Sequence, residues 1–598
     1  MMRCFAMAGR KRVRERKDGR AGGRARGAGL LLAACLLLPA LAEARAKVEI
    51  EAERIEDELL DNIEAYVGEV SDEDLEAWRS TRTRLYERVK EALRSLGYYR
   101  GRAEISRDGE TVRIVVMPGE PVTVRRLSLV YRGEAGSDPA FLALRENLPL
   151  KENDVLHHGK YEAVKTAVRN LGVEHGYFDA LWETHAVAVD PDANTADIDL
   201  VYASGMRYRF GPLSFRKPDG SEQDLLRPEL LQKFATFREG EPYDADTLIR
   251  FNRALLDSRF FSEVRVQVER ERSVDHAVPI DVVLAADKPN NMDIGIGYST
   301  DVETRLTLKW QRPLINERGH SIEANSELSP VRSSLDTRYT VPLGHPTNDV
   351  LQYLYGVRRE EVEQVVTWNT VLGVQRQLRR ENGWQRTYSL RGLRDTTELP
   401  DSEIKKDLVL PGASLDRLRS RGGVDPNWGD RQFYQLEVAS EDVLSDASLV
   451  WLRAGGRLLR TFGGRHQILL RGDAGSVITD DFDNVPVSMR FFAGGDQSIR
   501  GYSYRSISPR DENGIAVGAR NLVTASVEYD YEFIRRWRLA VFTDAGNAFD
   551  SAQEPAKIGA GVGVRWVSPV GPIRLDVAWP VSETEKTLRL HFSMGPNL

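Results

Sequence analysis

From Asn291 to the C-terminus the chain is written in period two. Segments of about ten residues alternate apolar and polar, the length and pattern of bilayer-crossing strands. Turns rich in Gly, Asn, Asp and Pro separate them: DIGIGYST, RLTLKWQRP, SIEANSELS, LDTRYTVPL, RHQILLRGD, LVTASVEYDYE, GVGVRWVSP and PIRLDVAWP. Successive side chains of a strand point to opposite faces, so each segment has one apolar and one polar face. Strands of ~9–11 residues cross a bilayer when tilted. A closed sheet is the only β-structure that leaves no unpaired edge in lipid. The pattern predicts an all-β transmembrane barrel over residues 290–598, in preference to a soluble β-sandwich. Seventeen segments qualify if VPVSMRFF is a strand, and sixteen if it belongs to a long loop. Single-chain barrels usually have an even number of antiparallel strands, which favours sixteen.

One stretch among these segments is too Gly-rich and too charged to be a strand: Arg490–Arg510, RFFAGGDQSIRGYSYRSISPR. Gly494 and Gly495 supply tight turns, and Arg500, Gly501 and Tyr502 set a cation, a hinge and an aromatic side by side. Arginine keeps its charge when buried, so inside a barrel it needs carboxylate partners. The candidates are Glu528 in ASVEYDY and Asp544 in VFTDAGN. Within LVTASVEYDYE, Val523, Ala525, Val527, Tyr529 and Tyr531 share one face, and Thr524, Ser526, Glu528 and Asp530 the other, so Glu528 points into the lumen. Asp544 shares a face with Phe542, but the opposite face is equally apolar, and the pattern leaves its direction open. The alternative is an ordinary exposed Gly-rich loop.

The N-terminus has a different composition. Ten basic residues between Arg3 and Arg26 precede an apolar run, GAGLLLAACLLLPAL, too short for a spanning helix. Ala40-Leu41-Ala42 follows, with Ala44-Arg45-Ala46 as a second choice of cleavage site, and translation starting at Met2 or Met7 would shorten the basic leader. A basic region, an apolar core and a small-residue site predict a secretory signal peptide over residues 1–42. Leu32-Ala33-Ala34-Cys35 resembles a lipoprotein box, but the chain stays apolar after Cys35, which argues against it. Removing the leader's ten basic and two acidic residues moves the net charge from −7 to −15, so nothing basic recommends a nucleic-acid partner. Both cysteines, Cys4 and Cys35, leave with it, and with them any disulfide, thiol nucleophile or Cys-based metal site.

Residues 47 to 288 repeat internally. Helical stretches end in Leu96-Gly97-Tyr98-Tyr99, His175-Gly176-Tyr177-Phe178 and Arg259-Phe260-Phe261, each running into an alternating segment. Glycine at the first two positions fits a left-handed helix C-cap. The aromatics are expected to be core residues anchoring each helix to the strand that follows. Leu85, Val89, Leu93 and Leu96 lie on one helix face, as do Tyr161, Val164, Val168 and Leu171, and Leu248, Phe251 and Leu255. The expected unit is β-α-α-β-β, in three copies: 47–119, 120–204 and 205–288. Asp190-Pro191-Asp192-Ala193-Asn194 opens like a calcium loop, but Thr195 and Val201 stand where an EF-hand needs Gly and Glu, so a turn is expected. His157-His158 has no ligand cluster near it in sequence, and no metal or cofactor is expected.

The repeats resemble POTRA domains, polypeptide-transport-associated modules whose sheet edges receive extended client segments. RFFAGGDQSIRGY, Phe542-Thr543-Asp544-Ala545-Gly546, WVSPVGPIRLD and a final strand LRLHFSMG resemble the outer-membrane assembly and two-partner-secretion superfamily. Three repeats, rather than five or two, point to its translocation-and-assembly branch. The resemblance implies a lumen loop carrying Arg500, with Asp544 and Glu528 as its wall partners. It implies an insertase and not an enzyme, located in the bacterial outer membrane with its repeats in the periplasm. The implied partners are the lipid bilayer, unfolded client outer-membrane proteins and an inner-membrane-anchored, periplasm-spanning (TamB-like) protein. The barrel is expected to close by pairing its first strand, Asp293–Thr300, with its last, Thr587–Met594. Ile294, Gly295, Ile296, Gly297, Leu588, Leu590, Phe592 and Gly595 mark that seam, which is weakened by glycine on one side and by Pro596 on the other. A transporter exporting one polypeptide through the lumen is the alternative. Nine scattered histidines and no Ser/His/Asp grouping give no catalytic constellation.

Overall fold

A computed structural model describes residues 47–52, 57–400, 402–568, 571–584 and 587–594. The leader expected over residues 1–42 and the seam residue Gly595 lie outside them. The chain divides into two compact units. One holds the first two repeats and part of the third; the other holds the barrel and the remainder of the third.

The first repeat comprises β1 (Lys47–Ala52), α1 (Asp57–Val67), α2 (Asp72–Glu76), α3 (Trp78–Ser95), β2 (Arg102–Asp108) and β3 (Thr111–Met117). The second has β4 (Thr123–Arg132), α4 (Pro139–Glu146), α5 (His158–Glu174), β5 (Leu181–Asp190) and β6 (Thr195–Ala203). The third has β7 (Arg209–Arg216), α6 (Pro228–Gln232), α7 (Ala245–Asp257), β8 (Phe261–Val268) and β9 (Ala277–Ala286). Each builds a three-stranded sheet with the last strand in the middle: β1-β3-β2, β4-β6-β5 and β7-β9-β8. In the first two sheets the opening strand runs parallel to the central one and the closing hairpin is antiparallel.

The helices pack as their periodicity requires: Leu85, Val89 and Leu93 of α3 are buried, with Leu59, Ile63 and Val67 of α1 in the same core. Gly97 and Gly176 stand at φ 89° and 80°, and the helix ends close on them, Tyr98 N–H donating to Leu93 O and Tyr177 N–H to Gly172 O. Arg259 takes the same left-handed turn without glycine, at φ 58°. The aromatic pairs differ from expectation. Tyr98 packs on the first core, but Tyr99 packs on the second, and its hydroxyl lies 2.7 Å from His158 Nε2. Tyr177 is buried in the second core, whereas Phe178 meets Tyr208 and Tyr243 of the third repeat, with the Arg270 guanidinium 4.0 Å from its ring. The second aromatic thus couples one repeat to the next; a helix-to-strand anchor needs only the first. Phe260 and Phe261 are both buried, edge-to-face 6.2 Å apart. His157 caps α5, accepting from Lys160 N–H, and Asp190 Oδ1 accepts from the amides of Asp192 and Ala193 in a tight turn.

The barrel sheet has sixteen antiparallel strands in sequence order. They are β10 (Asn291–Ser299), β11 (Glu303–Arg312), β12 (Ser321–Leu328), β13 (Arg332–Pro342), β14 (Asp349–Val362), β15 (Val365–Arg379), β16 (Gln385–Leu399) and β17 (Ser402–Arg421). There follow β18 (Trp428–Ala439), β19 (Leu449–Phe462), β20 (His466–Ile478), β21 (Asn521–Ile534), β22 (Trp537–Phe549), β23 (Lys557–Ser568), β24 (Gly571–Pro580) and β25 (Arg589–Met594). VPVSMRFF is no strand: Val487–Met489 is a 3₁₀ turn inside the long connection between β20 and β21. The parity of β21 holds residue by residue, with Ser526, Glu528 and Asp530 buried and Val523, Val527 and Tyr529 exposed.

Candidate functional site

The connection 479–520 is long enough to fold back and pack by its own side chains. Two isolated bridges, Phe491 to Ala519 and Ala493 to Ile507, pin it to itself. Phe491, Ala493, Ile499 and Tyr502 share a buried cluster with wall residues Leu393, Leu408 and Leu449. The loop therefore lines the lumen. Its glycines make close approach possible: a Cβ on Gly495 would stand 2.6 Å from Asp301 Oδ2, and one on Gly501 2.8 Å from the backbone of Trp579. Both take left-handed φ, 102° and 93°, as does Gly494 at 100°.

Arg500 is buried against the wall. Its Nε and Nη2 fork onto Asp544 at 2.8 and 2.9 Å, and its own backbone N–H donates to the same carboxylate at 3.0 Å. Nη1 reaches Glu528 at 2.6 Å and Asp576 at 3.2 Å, and Nη2 lies 3.4 Å from Ser526 Oγ. The guanidinium sits 3.4 Å from the Phe542 ring centre. The structure places Arg500, Glu528 and Asp544 together, with Asp544 turned inward. It adds three residues that pattern did not single out: Asp576, Arg565 and Arg471. Arg565 donates to Glu528 at 2.8 Å and also to Asp576. Arg471 stands 3.6 Å from Asp544. Three carboxylates thus face three guanidiniums. Removing one partner from such a buried ionic network costs about 3–5 kcal/mol, because the charges left behind cannot reach water.

The seam departs from expectation. Among the described residues β10 and β25 form no ladder, although every other neighbouring pair does. Two hydrogen bonds cross: Thr300 N–H to Phe592 O at 3.2 Å, and Phe592 N–H to Thr300 Oγ1 at 3.3 Å. The Tyr298 and Phe592 rings stand 5.7 Å apart. On its other side β25 is paired to β24 along Arg589–Met594. Ile294, Ile296, Leu588 and Leu590 face outward, with Ile296 76% exposed and Leu590 57%. Gly295 and Gly297 lie beneath the side chains of Thr307 and Arg305, their cross-strand partners.

Three POTRA-type sheets ahead of a sixteen-stranded barrel with a loop anchored in its lumen define a class: outer-membrane barrels with periplasmic POTRA domains. The chain belongs to the Omp85 superfamily, whose domain model matches residues 289–597, and its first repeat matches the POTRA domain TamA domain 1 over residues 47–118. It is a TamA-like member in that sense, located in the outer membrane with its repeats in the periplasm. The outer membrane protein assembly factor BamA of Nitratidesulfovibrio vulgaris is 36% identical over 142 residues, 22% of this chain and 18% of that protein. The match spans less than a fifth of that relative's length. BamA from Haemophilus ducreyi lacking POTRA domains 1–3 superposes with a TM-score of 0.63 at 15% identity, covering 79% of this chain and 99% of that one, and so shares the fold. CdiB from Escherichia coli gives 0.46 at 12% identity, over 88% of this chain and 98% of that one.

Proposed function

We propose that this protein inserts client outer-membrane proteins, autotransporters among them, into the bilayer through the β10–β25 seam. The observation that carries the reading is that, among the described residues, no ladder joins the first and last strands. An unpaired strand edge templates another strand, and among the described residues no ladder covers the outer edge of β10. The POTRA sheets have edges of the same kind, suited to holding an extended client or a TamB-like periplasm-spanning partner. The reaction is strand exchange, with no bond made or broken in the client, so no catalytic residue is called for.

The test is a lock across the seam. Tyr298 and Phe592, whose rings already meet 5.7 Å apart across the seam, are the pair to replace by cysteine. The native cysteines are Cys4 and Cys35, both within the expected leader. Client insertion is assayed in proteoliposomes with the disulfide formed and then reduced. Loss on oxidation and recovery on reduction is the expected result. Normal insertion by the locked protein refutes lateral opening. Export of a client through a locked barrel establishes the alternative, a polypeptide transporter working through its lumen.

A further inference from the structure

The seam has one more connection, made from inside the barrel. Asp496, four residues before Arg500 in the lumen loop, is buried. Its Oδ1 accepts from Thr300 Oγ1 at 2.9 Å and from His591 Nδ1 at 2.6 Å, and its backbone N–H donates to Asp301 Oδ2 at 2.8 Å. Thr300 and Asp301 form the tip of the β10–β11 hairpin, and His591 lies in β25. One loop residue therefore holds both margins of the strand pair that lacks a ladder. His591 is committed on its other side too: Nε2 accepts from Gly501 N–H at 2.9 Å. That bond sets the tautomer, with the ring proton on Nδ1 and directed to Asp496. Because Gly501 follows Arg500, hydrogen bonds run unbroken from the seat of Arg500 through Gly501, His591 and Asp496 to Thr300 and Asp301.

We infer that Asp496 and His591 are positioning residues that clasp the seam to the lumen loop, so that the barrel opens sideways only when the loop lets go. This deepens the proposed insertase reading and rests on it. Asp301, Asp496 and His591 also bring three ligand-type atoms within 4.8 Å of one another, and Asp496 Oδ2 is buried without a hydrogen-bond partner. A metal on His591 Nδ1 would displace the proton that Gly501 fixes there, so the hydrogen-bond pattern favours the clasp over a cation; the experiment includes a chelator to decide.

The full-length protein in lipid nanodiscs, with nitroxide labels at Ile296 and Leu590, reports seam width by electron–electron distance measurement, with no client present. Asp496→Ala is expected to raise the ratio of wide to narrow seams about tenfold or more, a hydrogen bond to a charged group being worth at least a decade. His591→Leu should do the same, and the double variant should add little, since both break one element. Asp496→Asn keeps an acceptor oxygen and should stay close to wild type. If Asp496→Ala matches wild type in width while its gel mobility shows a folded barrel, the clasp is wrong. If EDTA widens the wild-type seam, a cation holds it and the clasp is likewise wrong. Client insertion by the same variants is scored separately. A seam that responds as expected in a protein that inserts nothing upholds the clasp and refutes the functional reading.

Discussion

Gly559 offers a way to unseat the lumen loop without touching a charge. It lies on β23, paired with Asp544 on one side and Pro580 on the other, and its backbone is ordinary strand. A Cβ there would fall onto the carbonyl oxygen of Arg500 and 3.0 Å from its carbonyl carbon. Restoring an ordinary carbon–oxygen contact of ~3.3–3.6 Å moves the loop backbone away by roughly 1.5 Å. The long Arg500 side chain can follow its carboxylates by changing rotamer, but its backbone cannot. Two bonds are then lost whatever the side chain does: Arg500 N–H to Asp544 at 3.0 Å and Gly501 N–H to His591 at 2.9 Å. The first is charge-assisted, worth about 1.5–3 kcal/mol, and the second about 0.5–1.5 kcal/mol. Gly559→Ala should therefore weaken seating of the loop by about 2–4.5 kcal/mol, some 30- to 2,000-fold in its equilibrium. Hydrogen exchange of peptides spanning 490–510, in nanodiscs, reads this directly, with the strands on either side as internal reference. Gly472→Ala is the control: it also sits in the barrel wall, and its Cβ would meet nothing closer than 3.9 Å. Wild-type protection of residues 499–502 in a folded Gly559→Ala barrel would refute the close-contact argument.

Two further outcomes follow from the same site. Arg500→Lys should behave nearly as badly as Arg500→Ala in resistance of the loop to external protease, because a point-charge ammonium cannot fork onto Asp544 while reaching Glu528 and Asp576; a fully protected Lys variant would show that net charge alone suffices. Seam width should also depend on pH through Asp301, in the hairpin turn outside the spanning strands. Burial, then the neighbouring Asp496 carboxylate, pushes Asp301 from 3.8 up to about 7, with His591 opposing. The Arg471 guanidinium faces the same loop segment through the Asp496 carbonyl. The closed state holds a proton that the open state, near 3.8, releases, so closure is favoured below that window and weakens as pH rises through about 7. Between pH 6 and 8 the wide-to-narrow ratio should rise about tenfold, and Asp301→Asn should flatten the response; a pH-independent wild type would show that the carboxyl does not titrate there.

The alternation of β21 was enough to aim Glu528 inward, because over Val523–Tyr531 one face is polar and the other apolar. Asp544 was ambiguous for the opposite reason: β22 is apolar on both faces, one turned to lipid and the other to the loop, as buried Phe542 and Asp544 and exposed Val541 show. Alternation gives no role to Arg565 in GVGVRWVSP or to Asp576 in PIRLDVAWP. They lie 65 and 76 residues beyond Arg500, and only the curl of the sheet brings β23 and β24 to β21. The Gly-aromatic-aromatic repeat was legible as a helix stop, yet a repeat read in isolation says nothing of its neighbour, so the outward role of Tyr99 and Phe178 was invisible. The clasp was beyond reach of sequence: Thr300, Asp496 and His591 are common polar residues separated by 196 and 95 positions.

Among the described residues the seam is fastened differently from every other strand pair of the barrel. Elsewhere in the barrel the ladders run from six residue pairs, between β24 and β25, to fifteen, between β16 and β17. At the seam the margins are tied by Thr300, Phe592 and the loop. In lipid an unsatisfied backbone group costs several kcal/mol, which no water is present to relieve. Where no ladder covers it among the described residues, the margin of β10 is therefore a high-energy edge. On the insertase reading proposed above, a client strand pairing there would satisfy those groups as it enters, so the first step of insertion would run downhill without a nucleotide. The loop supplies what the ladder does not: Arg500 fixes it to β21, β22 and β24, and Asp496 ties it to both margins. Asp496 thus fastens the two margins from inside the barrel, where the described residues of β10 and β25 carry no ladder of their own.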